Sequence, residues 1–329
     1  MAAYTTIDDS EAYFQVKTYT GNNTTDTAIT FDGDTDMSPN FVWIKCRSSA
    51  NSSALFNSVI GPDYHLVSND NAAQAGDGSY FKSFDSDGFT LGIGGQVNDS
   101  ATTYVAWCWK ETADAGFDIV TYTGDGSNRT ISHSLSAVPD FIAVKNNTSA
   151  RSWINGLTSL GWDKNLYFDM SNAENDSADM WNDTAPTSSV FTVGTSVAVN
   201  EDTDSIIAYL WSGKQGFSKF GKYTGNGSAD GTFVFCGFRP AMVFLKKTSG
   251  AALWYIHDNK RNPYNVMDKR LYVDNAAAEA SANELDFLSN GFKLRSTETD
   301  INGSGSSYVY MVWAEAPFVN SEGVPCNAR

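Results

Sequence analysis

The chain has 329 residues, of which 41% are hydrophobic and 18% charged, and its formal net charge is −16. That length exceeds one small core, and that composition excludes a disordered chain. The acidic balance argues against a nucleic-acid partner, whose phosphates call for Lys and Arg, and against anionic membrane surfaces; no apolar run is long enough for a transmembrane helix.

Residues 1–12 read as a polar, acidic arm of the kind that hooks onto a neighbouring subunit. Met1 to Asp9 has neither the basic nor the apolar region of a secretory signal. A unit of about one hundred residues then occurs three times, over 13–110, 117–212 and 217–316. Its clearest mark is the closing run Tyr104-Val105-Ala106-Trp107-Cys108-Trp109, repeated as Ile206 to Trp211 and Tyr308 to Trp313. The final tryptophans lie 102 residues apart each time (211 − 109 and 313 − 211).

Each repeat opens on an alternating strand, Phe14 to Thr20, Phe117 to Thr123 and Ser218 to Thr224, with Val16, Ile119 and Phe220 inward. Gly21-Asn22-Asn23, Gly124-Asp125-Gly126 and Gly225-Asn226-Gly227 follow, turn chemistry that predicts a β-hairpin. A second strand begins after Pro39, Pro139 and Pro240 and ends on Lys45, Lys145 and Lys246. It is apolar on both faces, as in a strand central to its sheet, and the lysine is expected to meet solvent. Leu55, Trp153 and Ile256 align in the middle of the repeats, where Trp254 falls opposite Ser53 and Arg151. Short alternating strands with frequent turns predict an all-β chain of three tandem β-sandwich modules, of jelly-roll or immunoglobulin-like size. The brief links 110–116 and 212–216 suggest modules packed in a row. Residues 317–329, with Pro317 and Pro325, read as an extended tail.

Chemistry-bearing residues are sparse. His65, His133 and His257 stand at no metal spacing and read as loop or strand-surface residues. Cys46, Cys108, Cys236 and Cys326 follow no metal pattern, and the first three belong to apolar strands as reduced thiols. No nucleophile elbow, phosphate loop or dinucleotide fingerprint occurs. Asp32-Gly33-Asp34-Thr35-Asp36 alternates carboxylates as a Ca²⁺ loop does, without the length or bidentate glutamate of an EF-hand; the alternative is a solvated turn. Glu201-Asp202-Thr203-Asp204 and Glu298-Thr299-Asp300 read as similar loops. Trp43, Trp107, Trp109, Trp153, Trp211 and Trp313 fall on core positions. Trp162, Trp181 and Trp254 do not, which leaves three readings: stacking on a sugar ring, a subunit contact, or local packing.

The run Pro39 to Lys45, the segment Phe84-Asp85-Ser86-Asp87-Gly88-Phe89-Thr90-Leu91 and the ending Tyr104 to Lys110 resemble modules of marine tailed-phage virion proteins. So do Asp258 to Asn265, Leu288-Ser289-Asn290-Gly291-Phe292 and Trp313-Ala314-Glu315-Ala316-Pro317-Phe318. The resemblance is to repeat modules of cyanophage-type tail fibres and related appendages, largely of unknown function, and it spans residues 12–329. It implies a non-enzymatic virion structural protein, made in the host cytoplasm and used in host attachment. Implied partners are other virion proteins, copies of itself in a homotrimer, and host-surface glycans. A capsid decoration or collar protein is the structural alternative, and a glycan depolymerase the enzymatic one. No cofactor is implied beyond the Ca²⁺ considered at Asp32, Asp34 and Asp36.

Overall fold

A strand that is apolar on both faces must be covered twice. In the computed structural model, which describes residues 4–76 and 78–327, an all-β chain meets this need by assembling the same four strands three times. In the first repeat the opening strand Phe14–Thr20 pairs with the closing strand Thr103–Trp109, which pairs with Phe41–Cys46, which pairs with the edge strand Ala54–Asn57. Phe117–Thr123, Ser205–Trp211, Phe141–Asn146 and Ile154–Leu157 take the same order in the second, and Ser218–Thr224, Ser307–Pro317, Phe238–Lys247 and Tyr255–Asp258 in the third. All pairings are antiparallel, and the register recurs: Phe14 faces Trp109, Phe117 faces Trp211 and Ser218 faces Trp313.

The predicted opening hairpin does not form. The strand after the first turn (Thr27–Ile29, Arg129–Ser132 or Phe233–Phe235) leaves the four-stranded sheet and pairs with Gly88–Leu91, Val190–Val193 or Gly291–Leu294. The turn is a corner between two sheets. Its first glycine, Gly21, Gly124 or Gly225, lies where a Cβ would come within 2.2, 1.9 or 2.4 Å of the carbonyl oxygen of Asp99, Glu201 or Gly303. Close approach of the loop before the closing strand therefore requires the glycine.

The three units are unequal. Phe81–Asp85 adds a third strand to the smaller sheet of the first repeat, whereas that of the second has two. In the third repeat Met267–Tyr272 and Ala280–Leu288 carry the pairing from the edge strand round to Gly291–Leu294 and Phe233–Phe235, giving one eight-stranded sheet. Its two end strands approach each other: Thr232 Oγ1 donates to the Thr224 carbonyl and Lys219 Nζ to that of Phe235, both at 2.8 Å. The sheet is a nearly closed barrel.

Alternation along the closing strand sets up two cores. In the first repeat Tyr104, Ala106 and Cys108 pack with Val42, Ile44 and Phe89 inside their own unit. Val105, Trp107 and Trp109 point the other way, into a core that all three repeats share. There Trp109, Trp211 and Trp313 form a triangle with ring centroids 6.2, 6.1 and 5.3 Å apart, each pair edge to face. The repeats thus close round a common hub instead of forming the expected row. The termini also fold back on the chain: Ile7 enters the shared core, and Tyr4 donates to the Gly237 carbonyl. Residues 317–327 turn over, with Cys326 N donating to the Phe318 carbonyl, and Ser321 N donates to Asp8 of the arm at 2.7 Å. All four cysteines are free.

Candidate functional site

Several of the polar side chains that the fold buries lie in the seams between repeats. Lys45, Lys145 and Lys246 do not meet solvent; each is fully buried. Two-residue periodicity explains why, since Lys45 shares the hub face of its strand with Phe41 and Trp43. Each ammonium donates to a carbonyl of its own following loop (Asn51, Arg151 or Ala252) and to one from a different repeat. Lys45 reaches Asn275 of the third repeat at 2.9 Å, Lys145 reaches Asn71 of the first at 2.9 Å, and Lys246 reaches Ser171 of the second at 2.8 Å. That sequence of contacts has no free end; it is a ring. Burial pushes each lysine down to about 8. Backbone bonds follow the same cycle: Gln74 N donates to the Asn147 carbonyl, Glu174 N to Thr248 and Glu279 N to Arg47.

Indoles reinforce two seams. Trp153 Nε1 donates to the Val67 carbonyl of the preceding repeat at 2.8 Å, and Trp254 Nε1 to that of Tyr167 at 2.7 Å. Strand register places Phe41 opposite Asn57, Phe141 opposite Leu157 and Met242 opposite Asp258. Trp254 therefore corresponds to Trp153 and Ser53, which corrects the alignment drawn from sequence. At the remaining seam Ser68 Oγ donates to the Val273 carbonyl at 2.7 Å.

Deeper in, the three seams differ. Asn57 Nδ2 donates to the Tyr209 hydroxyl at 2.8 Å between the first and second repeats. Trp107 Nε1 donates to Asp258 Oδ2 at 3.0 Å between the first and third. The corresponding residues of the third seam are Leu157 and Met311, which offer only apolar surface. Asp258 also accepts from Arg261 Nε at 2.6 Å; Arg261 lies 3.2 Å from Glu279, which holds Arg47 of the first repeat through two 2.9 Å bonds. A repeat docked on the wrong neighbour would strand a buried carboxylate or amide, which costs several kcal/mol. The seams therefore specify the order of repeats as well as their contact.

Residues singled out from sequence fall elsewhere. Trp162, Trp181 and Trp254 are 7%, 0% and 1% exposed, so none offers a face to a sugar ring or a subunit. Trp162 and Trp181 cross at 5.3 Å in the interior of the second repeat, over Gly156, where a Cβ would meet Trp162 at 2.4 Å. Asp32, Asp34 and Asp36 do not converge: Asp32 pairs with Lys17 at 2.5 Å, and the Asp34 amide donates to Glu11. Among the described residues no three His, Cys, Asp or Glu side chains gather as metal ligands would. Glu201 grips Arg151 at 2.6 and 2.8 Å, and Asp204 accepts from Asn146 at 2.9 Å. His65 and His257 are buried, against expectation. His65 packs at a tilt against Phe56 and Tyr80, and His257 Nε2 lies 2.8 Å from the buried carboxylate of Glu284.

One set of residues escaped the sequence reading. Asn98, Asn200 and Asn302 are fully buried, and each closes the corner of its repeat. Their Nδ2 atoms donate to the carbonyls of Gly92, Gly194 and Ser296 at 2.7, 3.0 and 2.8 Å; their Oδ1 atoms accept from the amides of Asn22, Asp125 and Asn226. They stand 102 residues apart (200 − 98 and 302 − 200), the interval of the tryptophans, so the signal was present. No curated protein matches the chain. A family described as a domain of unknown function, DUF7483, matches residues 9–317, and the chain belongs to that family.

Proposed function

We propose that the chain is a non-enzymatic structural protein of a phage particle, a tail fibre or surface appendage that meets host-surface glycans. In this reading it is three β-sandwich modules closed on one another, and further copies, in a homotrimer, and other virion proteins hold it in place. One observation carries the structural part: the buried lysines and the indole, amide and carboxylate keys serve the seams between repeats, not a cleft. Such an investment builds a rigid body that keeps its shape under load. The phage setting comes from the resemblance of its repeat modules. Immunogold labelling of purified phage particles, with antibody raised against the recombinant chain, tests it. Label confined to tail appendages is expected. Label spread over the capsid would make the chain a decoration protein, and unlabelled particles would end the proposal. Falling viscosity of host polysaccharide on addition of purified chain would turn the assignment to a depolymerase.

A further inference from the structure

In every repeat the opening strand lies beside the corner strand without pairing to it, which leaves an open edge. The connection that could cover this edge differs in length. Ile29, Ile131 and Val234 are equivalent, since each faces the phenylalanine of its partner strand, Phe89, Phe191 or Phe292. From there to the proline of the next strand is ten residues in the first repeat, eight in the second and six in the third (39 − 29, 139 − 131, 240 − 234).

The long connection of the first repeat folds over its own edge. Asp32 takes Lys17, the Thr35 carbonyl accepts from Gln15 Nε2 at 2.9 Å, and the Thr35 hydroxyl donates to Asp9 at 2.5 Å. An acidic, bent piece of chain thus lies over the edge, held by side-chain contacts.

The third repeat has only the short turn at Cys236 and Gly237. Its edge is a groove of about 490 Å³ lined by Tyr4, Asp140, Lys214, Lys219, Phe220 and Phe235, among others. Phe233 and Phe235 of the corner strand are 42% and 51% exposed. Lys219 stands where the first repeat has Gln15, and its ammonium lies 5.4 Å from the Phe235 ring centroid. Two lysines and exposed aromatics make this a cationic patch on a chain of net charge −16. Among the described residues the lining carries one carboxylate, Asp140, against these two lysines. In the second repeat the matching groove is lined by Glu111 and Asp118, which would repel an anionic segment.

We propose that the groove of the third repeat docks an acidic peptide segment of a partner protein, held over the strand edge by side-chain contacts as residues 32–36 are on the first repeat. Lysine pairing and contact with Phe235 supply recognition, and bulk salt weakens it.

The probe is a fluorescein-labelled nonapeptide with the sequence of residues 30–38, titrated into the full chain by fluorescence anisotropy. Saturable binding is expected, and it weakens with added salt. Lys214→Glu combined with Lys219→Glu is expected to weaken it at least about tenfold, and Lys82→Glu, on the first repeat, to leave it unchanged. Circular dichroism of the variants confirms that they fold. No saturable binding, or equal loss in Lys82→Glu, overturns the proposal. So does an oligosaccharide array bound by the wild type and lost in Phe235→Ala while the peptide stays unbound, which would give the groove to glycans.

Discussion

The indole N–H of Trp107 in the first repeat donates to the fully buried carboxylate of Asp258 in the third, 151 residues away. This bond closes the ring, because it joins the two repeats that are not neighbours in sequence. Asp258 is held in place by Arg261, itself buried. Arg261→Met leaves an uncompensated carboxylate and is expected to cost about 3–5 kcal/mol in urea unfolding. Combining it with Asp258→Asn removes the charge and should recover part of the loss. A cost below about 1 kcal/mol for the single change would mean that the seam bears little of the stability.

The triangle of Trp109, Trp211 and Trp313 predicts cooperative unfolding. Trp211→Ala should cost about 3–5 kcal/mol, as for a large core truncation, and lower a single calorimetric transition for the whole chain. If the repeats melted independently, only one of several transitions would move.

Asn200→Ala removes the donations to Asp125 Oδ1 and to the Ser127 and Gly194 carbonyls, and the acceptance from the Asp125 amide. It is expected to cost about 1–3 kcal/mol, since the buried Gly194 carbonyl loses its partner. Asn200→Asp should not restore stability, because the carboxylate cannot donate to the carbonyls of Ser127 and Gly194. Chemical denaturation of both variants gives the answer.

The three buried lysines make stability depend on pH in the alkaline range. Their folded values lie near 8, below that of an unfolded lysine, about 10.4, so between those limits the unfolded chain binds more protons. Stability therefore rises with pH through that window, by about 3 kcal/mol per lysine at most, and the burial cost is fully present below about pH 8. Tyrosines and cysteines that burial raises act in the opposite sense. Comparison with the variant carrying Lys45→Met, Lys145→Met and Lys246→Met cancels them. The wild type should gain on that variant as pH is raised from about 7.5 to about 9.5; a constant difference would show that the lysines are already neutral or equally well paired when charged.

Two-residue alternation sorted the side chains correctly. The sequence placed Phe41 and Trp43 on one face, Val42 and Ile44 on the other, and united Val105 with Trp107 and Trp109. It could not say that one of those faces meets two other repeats, because the partners are about a hundred residues distant. The lysines show the cost of weighing residue type above periodicity: Lys45 lies on the face of Trp43 and is buried with it. The corner was misread for a different reason. Gly126 and Gly227 do adopt the positive φ that their turns require, at +70° and +68°, but such a turn serves a hairpin and a change of sheet equally well. Trp162 and Trp181 have polar neighbours in sequence, and the space that receives them is made by Gly156, on another strand. That information is tertiary.

Three repeats close round one hub, with the first touching the third. Small-angle X-ray scattering of the monomeric fraction tests this closure most directly. A chain of 329 residues folded as one body should give a radius of gyration of about 20 Å. Three units of about 100 residues set in a row would give roughly 26 Å, and that value, with an elongated distance distribution, would contradict the ring.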